Sequence, residues 1–188
     1  MTFYYVVLDE AYSYGGVVYE VGTMARDDYS LHYFDLMHVA KYMRYSRYIT
    51  TVTIPDDAVA YKDGTGRWST NKLEVVSICK LSKFEMFHNI DWCMRAIRQN
   101  PTLLKFVKTQ THEMCLEAVR QDGSTLEFVK KQTPDICMEA ISQCADALQF
   151  VHRQTYELRL AAVRRSGSAL AFVEVQTEEI CLEAVKQD

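Results

Sequence analysis

The chain has little of what marks disordered, secreted or membrane-spanning polypeptides. Of its 188 residues, only 3 are Pro and 7 are Gly, which argues against long disordered stretches. No apolar run approaches the roughly 20 residues that a transmembrane helix needs. The N-terminus lacks the basic start and the apolar core of a signal peptide. These absences predict an intracellular globular protein that is not secreted.

An excess of basic charge is also missing. The formal net charge is −4, from 21 Lys and Arg against 25 Asp and Glu. Proteins that bind nucleic acid non-specifically normally carry a large basic excess, so the charge argues against that class. The chain also lacks a G-x-S-x-G elbow, a phosphate-binding loop and a paired-Cys zinc motif. We therefore predict no catalytic, cofactor-binding or metal-binding residues.

A pattern of 22 residues recurs from residue 89 to residue 188. The eighth residue of each unit is Ala, and the fifth is Cys in all units except the fourth. Each unit predicts two short helices that can bury their apolar faces only by stacking on neighbouring units. Residues 89–188 are thus predicted to form an α-helical solenoid. Its units start at Asn89, Thr111, Thr133, Thr155 and Thr177, and the last one is incomplete.

Local signals place the ends of the first helix in each unit. The first residue is Asn or Thr, which can cap a helix through its side-chain oxygen. The third residue is acidic in every unit, which favours the positive end of the helix dipole. Gly123 and Gly167 are expected to end the preceding helices in a left-handed conformation.

Six cysteines are compatible with a disulfide framework, but the repeat argues against one. Equivalent helices of neighbouring units should lie about 8–10 Å apart, whereas a disulfide needs Cα atoms within about 7 Å. A column with 22-residue spacing does not converge on a metal ion either. The Cys column is therefore predicted to be part of the core.

Residues 1–88 have a different composition, with eleven of the twelve tyrosines. Aromatic and β-branched runs predict five or six strands, and "DLMHVAKYMRY" predicts one helix from Asp35. The fold class predicted for the whole chain is α+β, a small Tyr-rich domain at 1–88 followed by the solenoid at 89–188.

The residues of this first domain that suit acid–base chemistry are few. Asp35 lies three residues before His38 on the predicted helix. A carboxylate at this distance could raise the pKa of the histidine and suit it to acid–base catalysis. The alternative is a capping Asp beside a half-buried His near a helix start, and we favour it. The remaining polar residues considered are His32, Ser46 and Ser69.

Two clusters are predicted to bind a partner. The stretch "YMRYSRY" offers aromatic and basic side chains, which suit a protein contact better than stacking on nucleic acid. The fourth repeat carries a local basic cluster. The cluster either contacts an acidic partner or results from neutral sequence change on a solvent-exposed face. The candidate partner-binding residues are Tyr42, Arg44, Tyr45, Arg47, Tyr48, Arg153, Arg159, Arg164 and Arg165.

The phrases "QTPDICMEAI", "QTEEICLEAVKQD" and "ALQFVHRQT" resemble a tandem domain of unknown function that is common in giant-virus proteins. The segments "LHYFDLMHVAKYMRY" and "TVTIPDDAVAYKDGTGRW" are similar to an N-terminal module of giant-virus repeat proteins. The resemblance implies an α-helical repeat, an origin in a large DNA virus, and a place in the host cytoplasm or the virion. It brings no known catalytic residues.

These observations predict a non-catalytic protein–protein interaction or assembly protein, associated with the virion or capsid or acting as a host-directed adaptor. Its partners would be proteins, capsid proteins among them, and the incomplete last repeat could mediate self-association. The alternative is an enzyme in the N-terminal domain with the repeat as a targeting arm. A pocket holding His32, Asp35 and His38 together would favour that alternative.

Overall fold

A computed structural model of the chain describes the backbone of residues 4–8, 13–14, 17–22, 24–36, 38–65 and 67–187. Side chains are described for these residues except 13, 14, 17, 18, 24–30, 44 and 45. The chain divides into two compact units, Met1–Phe106 and Val107–Asp188. This division falls one repeat later than residue 89, because the first helix pair of the array groups with the N-terminal strands.

The first unit is built around a closed antiparallel barrel. Strand β1 pairs with β4 and β5, β5 pairs with β7, and β4 also pairs with β7, so that four strands form a ring. Strand β6 lies on β7 outside the ring, and β2 and β3 form a separate pair. The strands are β1 Tyr4–Leu8, β2 Ser13–Tyr14, β3 Val17–Val18, β4 Met24–Phe34, β5 Tyr48–Thr53, β6 Ala60–Lys62 and β7 Arg67–Lys80.

Alternation along these strands explains the barrel core. Successive side chains of a strand point to opposite faces, and Val6 and Leu8 of β1 join Leu73 and Val75 of β7 in one buried cluster. Tyr33 belongs to the same cluster and stacks on Trp68, with ring centroids 5.9 Å apart. The barrel interior is thus filled by side chains rather than open.

Helical segments cover the outside of the first unit. Helix α1, Ile90–Gln99, follows the 3₁₀ segments Leu81–Lys83 and Glu85–His88 and precedes Pro101–Phe106. The indole of Trp92 donates to the carbonyl of Leu36 at 2.9 Å, which ties α1 to the segment after β4. The carboxamide of Asn100, which is buried, donates to the carbonyl of Ala40 at 3.4 Å in the 3₁₀ helix Val39–Tyr45.

The second unit alternates α-helices with short 3₁₀ helices. Its α-helices are α2 His112–Gln121, α3 Pro134–Gln143, α4 Tyr156–Arg165 and α5 Glu178–Val185. The 3₁₀ helices between them are Gly123–Phe128, Ala145–Phe150 and Gly167–Phe172. All four α-helices begin at a 22-residue interval, and the Ala column at their centre is buried, which lets neighbouring backbones approach closely.

The predicted fold class is wrong. In place of a small Tyr-rich α+β domain followed by an α-helical solenoid, the structure has a closed four-stranded barrel accompanied by helices. Two physical reasons account for the difference. Strand alternation does not reveal that β4 pairs with both β1 and β7, and the second segment of each repeat is a six-residue 3₁₀ helix rather than a helix of eight to ten residues.

The helix-capping prediction is confirmed at four positions. The side chains of Asn89, Thr111, Thr155 and Thr177 each accept a hydrogen bond from the backbone N–H three residues later. Among the described capping residues, Thr133 makes no such bond. Its hydroxyl contacts Asp135 Oδ1 at 2.5 Å instead.

The roles predicted for two glycines are wrong. The helices before Gly123 and Gly167 end in an extended residue, Asp122 and Ser166, rather than in a left-handed glycine. The glycines are needed for space: a Cβ on Gly123 would lie 2.5 Å from the carbonyl oxygen of Ala140, and one on Gly167 would lie 2.6 Å from that of Ala184. Each glycine therefore sets how closely the next α-helix can pack.

Candidate functional site

Two similar grooves open in the second unit, one repeat apart. Groove 1 lies between the N-terminal ends of α2 and α3 and encloses about 510 Å³. Groove 2 lies between those of α3 and α4 and encloses about 380 Å³. Groove 1 is lined by Lys108, His112, Cys115, Lys130, Lys131 and Ile136, among others. Groove 2 is lined by Thr133, Cys137, His152, Arg153, Thr155 and Leu158, among others.

Glutamine side chains build one wall of both grooves. Gln110 donates to the carbonyl of Phe128 at 2.8 Å and accepts from the amide of Lys130 at 2.9 Å. One repeat later, Gln132 makes the same two bonds, to Phe150 and His152, at 2.8 and 2.9 Å. Each carboxamide thus satisfies two backbone groups of the next repeat and fixes the spacing between repeats.

The cysteines at the base of the grooves are structural. All six cysteines of the chain are free thiols, and Cys115 and Cys137 are buried, as predicted for the Cys column. Their Sγ atoms lie 3.9 and 3.7 Å from the carboxamide oxygens of Gln110 and Gln132. Burial raises the pKa of both thiols, which makes the reactive thiolate scarce.

Basic groups dominate the mouth of groove 1. Lys130 donates from Nζ to the carbonyls of Val107 and Lys108, each at 2.9 Å. His112 Nε2 lies 2.9 Å from a carboxylate oxygen of Asp135. The Thr133 hydroxyl is the main cause that lowers the pKa of Asp135. Lys108 and Lys131 are exposed and extend this basic rim.

Arg159 spans the corresponding space between α4 and α5. It stands at the column position held by Cys115 and Cys137 in the two preceding repeats. Its guanidinium donates to the carbonyl of Thr155 at 3.3 Å and to that of Val175 at 2.6 Å. The side chain therefore links the start of α4 to the segment that precedes α5, within one repeat.

The predicted basic cluster of the fourth repeat is divided by the structure. Arg164 forms an ion pair with Glu183 at 3.2 Å, and Arg165 donates to the carbonyl of Gln143 at 2.9 Å. Together with Arg159, these side chains link neighbouring helices. Only Arg153 of the four predicted residues lines a groove, where it is exposed.

The predicted aromatic–basic patch of the first unit is also divided. Tyr42 is half-buried and stacks on Phe34, with ring centroids 4.1 Å apart. Tyr48 is half-buried in β5, and Arg47 is exposed with its backbone bonded to Leu8 and Leu81. The side chains of Arg44 and Tyr45 lie outside the described residues. The residues of the stretch "YMRYSRY" therefore do not form one continuous surface among the described side chains.

The polar residues considered for catalysis form two separate pairs. Asp35 Oδ1 accepts from the backbone N–H of His38 at 3.0 Å and lies 2.6 Å from its Nδ1. Burial raises the pKa of Asp35, but the hydrogen bonds from His38 outweigh it and lower the pKa. The carboxylate thus stabilises the turn that precedes the 3₁₀ helix Val39–Tyr45, whereas His38, the N-cap residue of that helix, makes no side-chain capping bond.

His32 contacts a different residue. Its Nδ1 lies 3.0 Å from the hydroxyl of Ser69 on the paired strand β7. Burial is the main cause that lowers the pKa of His32, which favours the neutral form of the ring. The Ser46 hydroxyl lies 3.5 Å from the carbonyl of Tyr42.

Sequence reasoning missed a further cavity on the barrel. It encloses about 680 Å³ and is lined by Tyr19, Tyr48, Ile78, Cys79, Lys80 and Lys83, among others. Burial and the charge of Glu85 raise the pKa of Cys79. No local motif marks this cavity, because its lining comes from strand segments far apart in the chain.

The described site is thus a groove that recurs in consecutive repeats. Within the described part of the chain, no cluster of three or more His, Cys, Asp or Glu could hold a metal ion. No helix in the described ranges is long and apolar enough to span a bilayer.

Comparison with known proteins matches part of the chain to a family. The model of the family described as Domain of unknown function (DUF4116) matches residues 111–156. The matched segment contains α2, α3 and most of the lining of both grooves, but Lys108, Thr109 and Gln110 of groove 1 and Leu158 of groove 2 lie outside it. No curated protein and no solved structure matches the chain.

Proposed function

We propose that this chain is a non-catalytic protein–protein interaction or assembly protein of a large DNA virus. The observation that carries the proposal is the groove that recurs at a 22-residue interval between consecutive repeats. Repeated units that present the same surface allow one extended partner to contact several units at once. Protein partners fit this arrangement better than a small substrate, which would require one enclosed pocket.

The viral setting rests on the sequence. The phrases that resemble the tandem giant-virus domain lie between residues 89 and 188, and the family match covers part of that range. On this basis the chain would act in the virion, as a capsid-associated component, or in the host cytoplasm as an adaptor. Capsid proteins are the partners to be examined first.

Exposed apolar side chains near α5 support association as well. The exposed fractions of Val175, Leu182 and Val185 are 59%, 56% and 74%. Large apolar side chains that cluster on a surface commonly mark contacts with other proteins. Self-association through this end of the array therefore remains part of the proposal.

The enzyme alternative is not favoured by a specific observation. Asp35 bonds to His38 in the turn before a 3₁₀ helix, and His32 contacts Ser69. Among the described residues, the linings of the three cavities reported above do not include His32, Asp35 or His38.

Affinity capture of the tagged protein from its native source, read by mass spectrometry beside purified particles, tests the proposal. We expect stoichiometric recovery with capsid proteins, or with one defined host protein. A D35N/H38A variant serves as the control and should recover the same partners. Absence of any partner from both samples would overturn the proposal.

A further inference from the structure

We propose that grooves 1 and 2 together bind an extended acidic segment of a partner protein. This inference rests on the proposed interaction function and specifies which surface mediates it. It concerns the second unit only, where both grooves lie, and it names a class of ligand that the repeat pattern alone does not indicate.

The charge of the linings carries the argument. Within the described residues, both linings lack Asp and Glu, and their basic side chains are Lys108, Lys130, Lys131 and Arg153, with His112 and His152 beside them. The whole chain, in contrast, has a net charge of −4. A basic strip on an acidic protein attracts and orients acidic ligands through complementary potential.

Two of these cations are well placed for a partner. Lys131 and Arg153 occupy equivalent positions in consecutive repeats, 22 residues apart, and both are exposed. Lys130, in contrast, is bonded to two backbone carbonyls, and His112 is paired with Asp135. The equivalent pair can therefore contact a ligand without breaking contacts that hold the repeats together.

Spacing favours an extended peptide. Packed helices lie about 8–10 Å apart, and three extended residues span about 10 Å. An acidic residue at every third position could therefore meet Lys131 and Arg153 in turn. Single-stranded nucleic acid is bound largely by stacking on aromatic rings, and the described linings of both grooves contain no Phe, Tyr or Trp.

Arg159 limits the strip to two grooves. Its guanidinium bonds to Thr155 and to Val175, and Val175 stands in the fourth repeat at the position equivalent to Lys131 and Arg153, where a ligand would otherwise continue. Asp135 bounds groove 1 and is the acidic group closest to the basic rim in the described contacts. Neutralising Asp135 should therefore strengthen binding of an acidic ligand.

Fluorescence anisotropy with the full chain tests the inference. The probe is a labelled oligoglutamate of about twelve residues, about 40 Å when extended, with oligoglutamine and single-stranded DNA for comparison. We expect saturable binding of oligoglutamate, weakened about tenfold in K131E/R153E by loss of two charge contacts. K186E, a single charge reversal at the C-cap residue of α5, which neither lining includes, should change the affinity by less than about twofold. D135N should bind more tightly than the wild-type chain.

Three outcomes would overturn the inference: absence of oligoglutamate binding at low salt, equal binding by K131E/R153E and the wild type, or preference for DNA over oligoglutamate. Circular dichroism of each variant confirms that its helices are intact. If oligoglutamate does not bind while native capture still recovers a partner, the grooves are excluded as the binding surface. The interaction would then be mediated by another surface. If both fail, the proposed function itself is overturned.

Discussion

The two units of this chain hold their structure together over different distances in the sequence. In the first unit, β4 pairs with β7 about half the unit's length away, as with Met24 opposite Glu74. In the second unit, contacts recur between neighbouring repeats, as with Gln110 to Phe128 and Gln132 to Phe150. Contacts between neighbouring repeats produce a periodic pattern in the sequence. Long-range strand pairing produces no such pattern.

This difference predicts how far the effect of a destabilising substitution should spread in each unit. A closed ring of strands shares one core, so damage to any strand affects all of them. An array of repeats is stabilised mainly by nearest-neighbour interfaces, so damage to one repeat should affect its neighbours most. The variants below compare matched positions in or between the two units.

Removal of one fully buried leucine from each unit should have the largest effect. Leu73 of β7 and Leu126 of the 3₁₀ helix Gly123–Phe128 are both 0% exposed. We expect L73A and L126A each to lower the free energy of unfolding by about 2–5 kcal/mol, because each leaves a cavity. Urea denaturation of the purified chain measures both. A loss below about 0.5 kcal/mol in either variant would contradict its placement in a packed core.

Crowding a repeat interface should have the next largest effect. A Cβ on Gly123 would lie 2.5 Å from the carbonyl oxygen of Ala140, so G123A should destabilise by about 1–3 kcal/mol through overpacking. The control is G64A in the first unit, since a Cβ there meets open space among the described residues. Thermal denaturation of both variants checks this. Equal melting temperatures would show that α3 does not pack closely against Gly123.

Gln110 and Gln132, whose side chains form a ladder of bonds between repeats, should make a contribution of similar size. Gln132 bonds to backbone groups of Phe150 and His152, so Q132A leaves both without that partner and should cost about 1–3 kcal/mol. Gln176, which is exposed and bonds to the carbonyl of Leu170 at 3.2 Å, gives the control Q176A. If Q176A were as destabilising as Q132A in urea denaturation, the ladder would not link the repeats.

Helix capping should show the smallest effect. Thr111 accepts from the amide of Met114 at 3.2 Å, so T111A should cost about 1 kcal/mol. T133A should cost less, because the Thr133 hydroxyl contacts Asp135 instead of the helix amides. Denaturation of both variants measures the loss in free energy of unfolding. A larger loss in T133A than in T111A would contradict the assignment of Thr111, rather than Thr133, as the stronger helix cap.

The sequence predicts local features of the array well. Capping by Asn89, Thr111, Thr155 and Thr177 follows from residue type and position, and so does burial of Cys93, Cys115 and Cys137. It does not predict that the second segment of each repeat is a 3₁₀ helix. The choice between 3₁₀ and α depends on how many residues fit between stacked helices, and this is a property of the packing.

The candidate site is less predictable than the helices. Of the arginines in the predicted basic cluster, Arg153 lines a groove, Arg159 bonds within its own repeat, and Arg164 and Arg165 bond to neighbouring repeats. The sequence shows a cluster of charge but not which carbonyl or carboxylate each guanidinium reaches. The barrel was missed for the same reason, because the partners of β4 are set by strand pairing across the whole unit.

Native-state hydrogen exchange of L73A and L126A against the wild-type chain tests most directly whether the two units differ in the range of their contacts. The account predicts that L73A accelerates exchange together in β1, β4, β5 and β7 of the closed ring. It predicts that L126A accelerates exchange mainly between His112 and Phe150, in the repeats next to the substitution. Acceleration confined to β7 in L73A, or spread evenly through residues 107–187 in L126A, would contradict it.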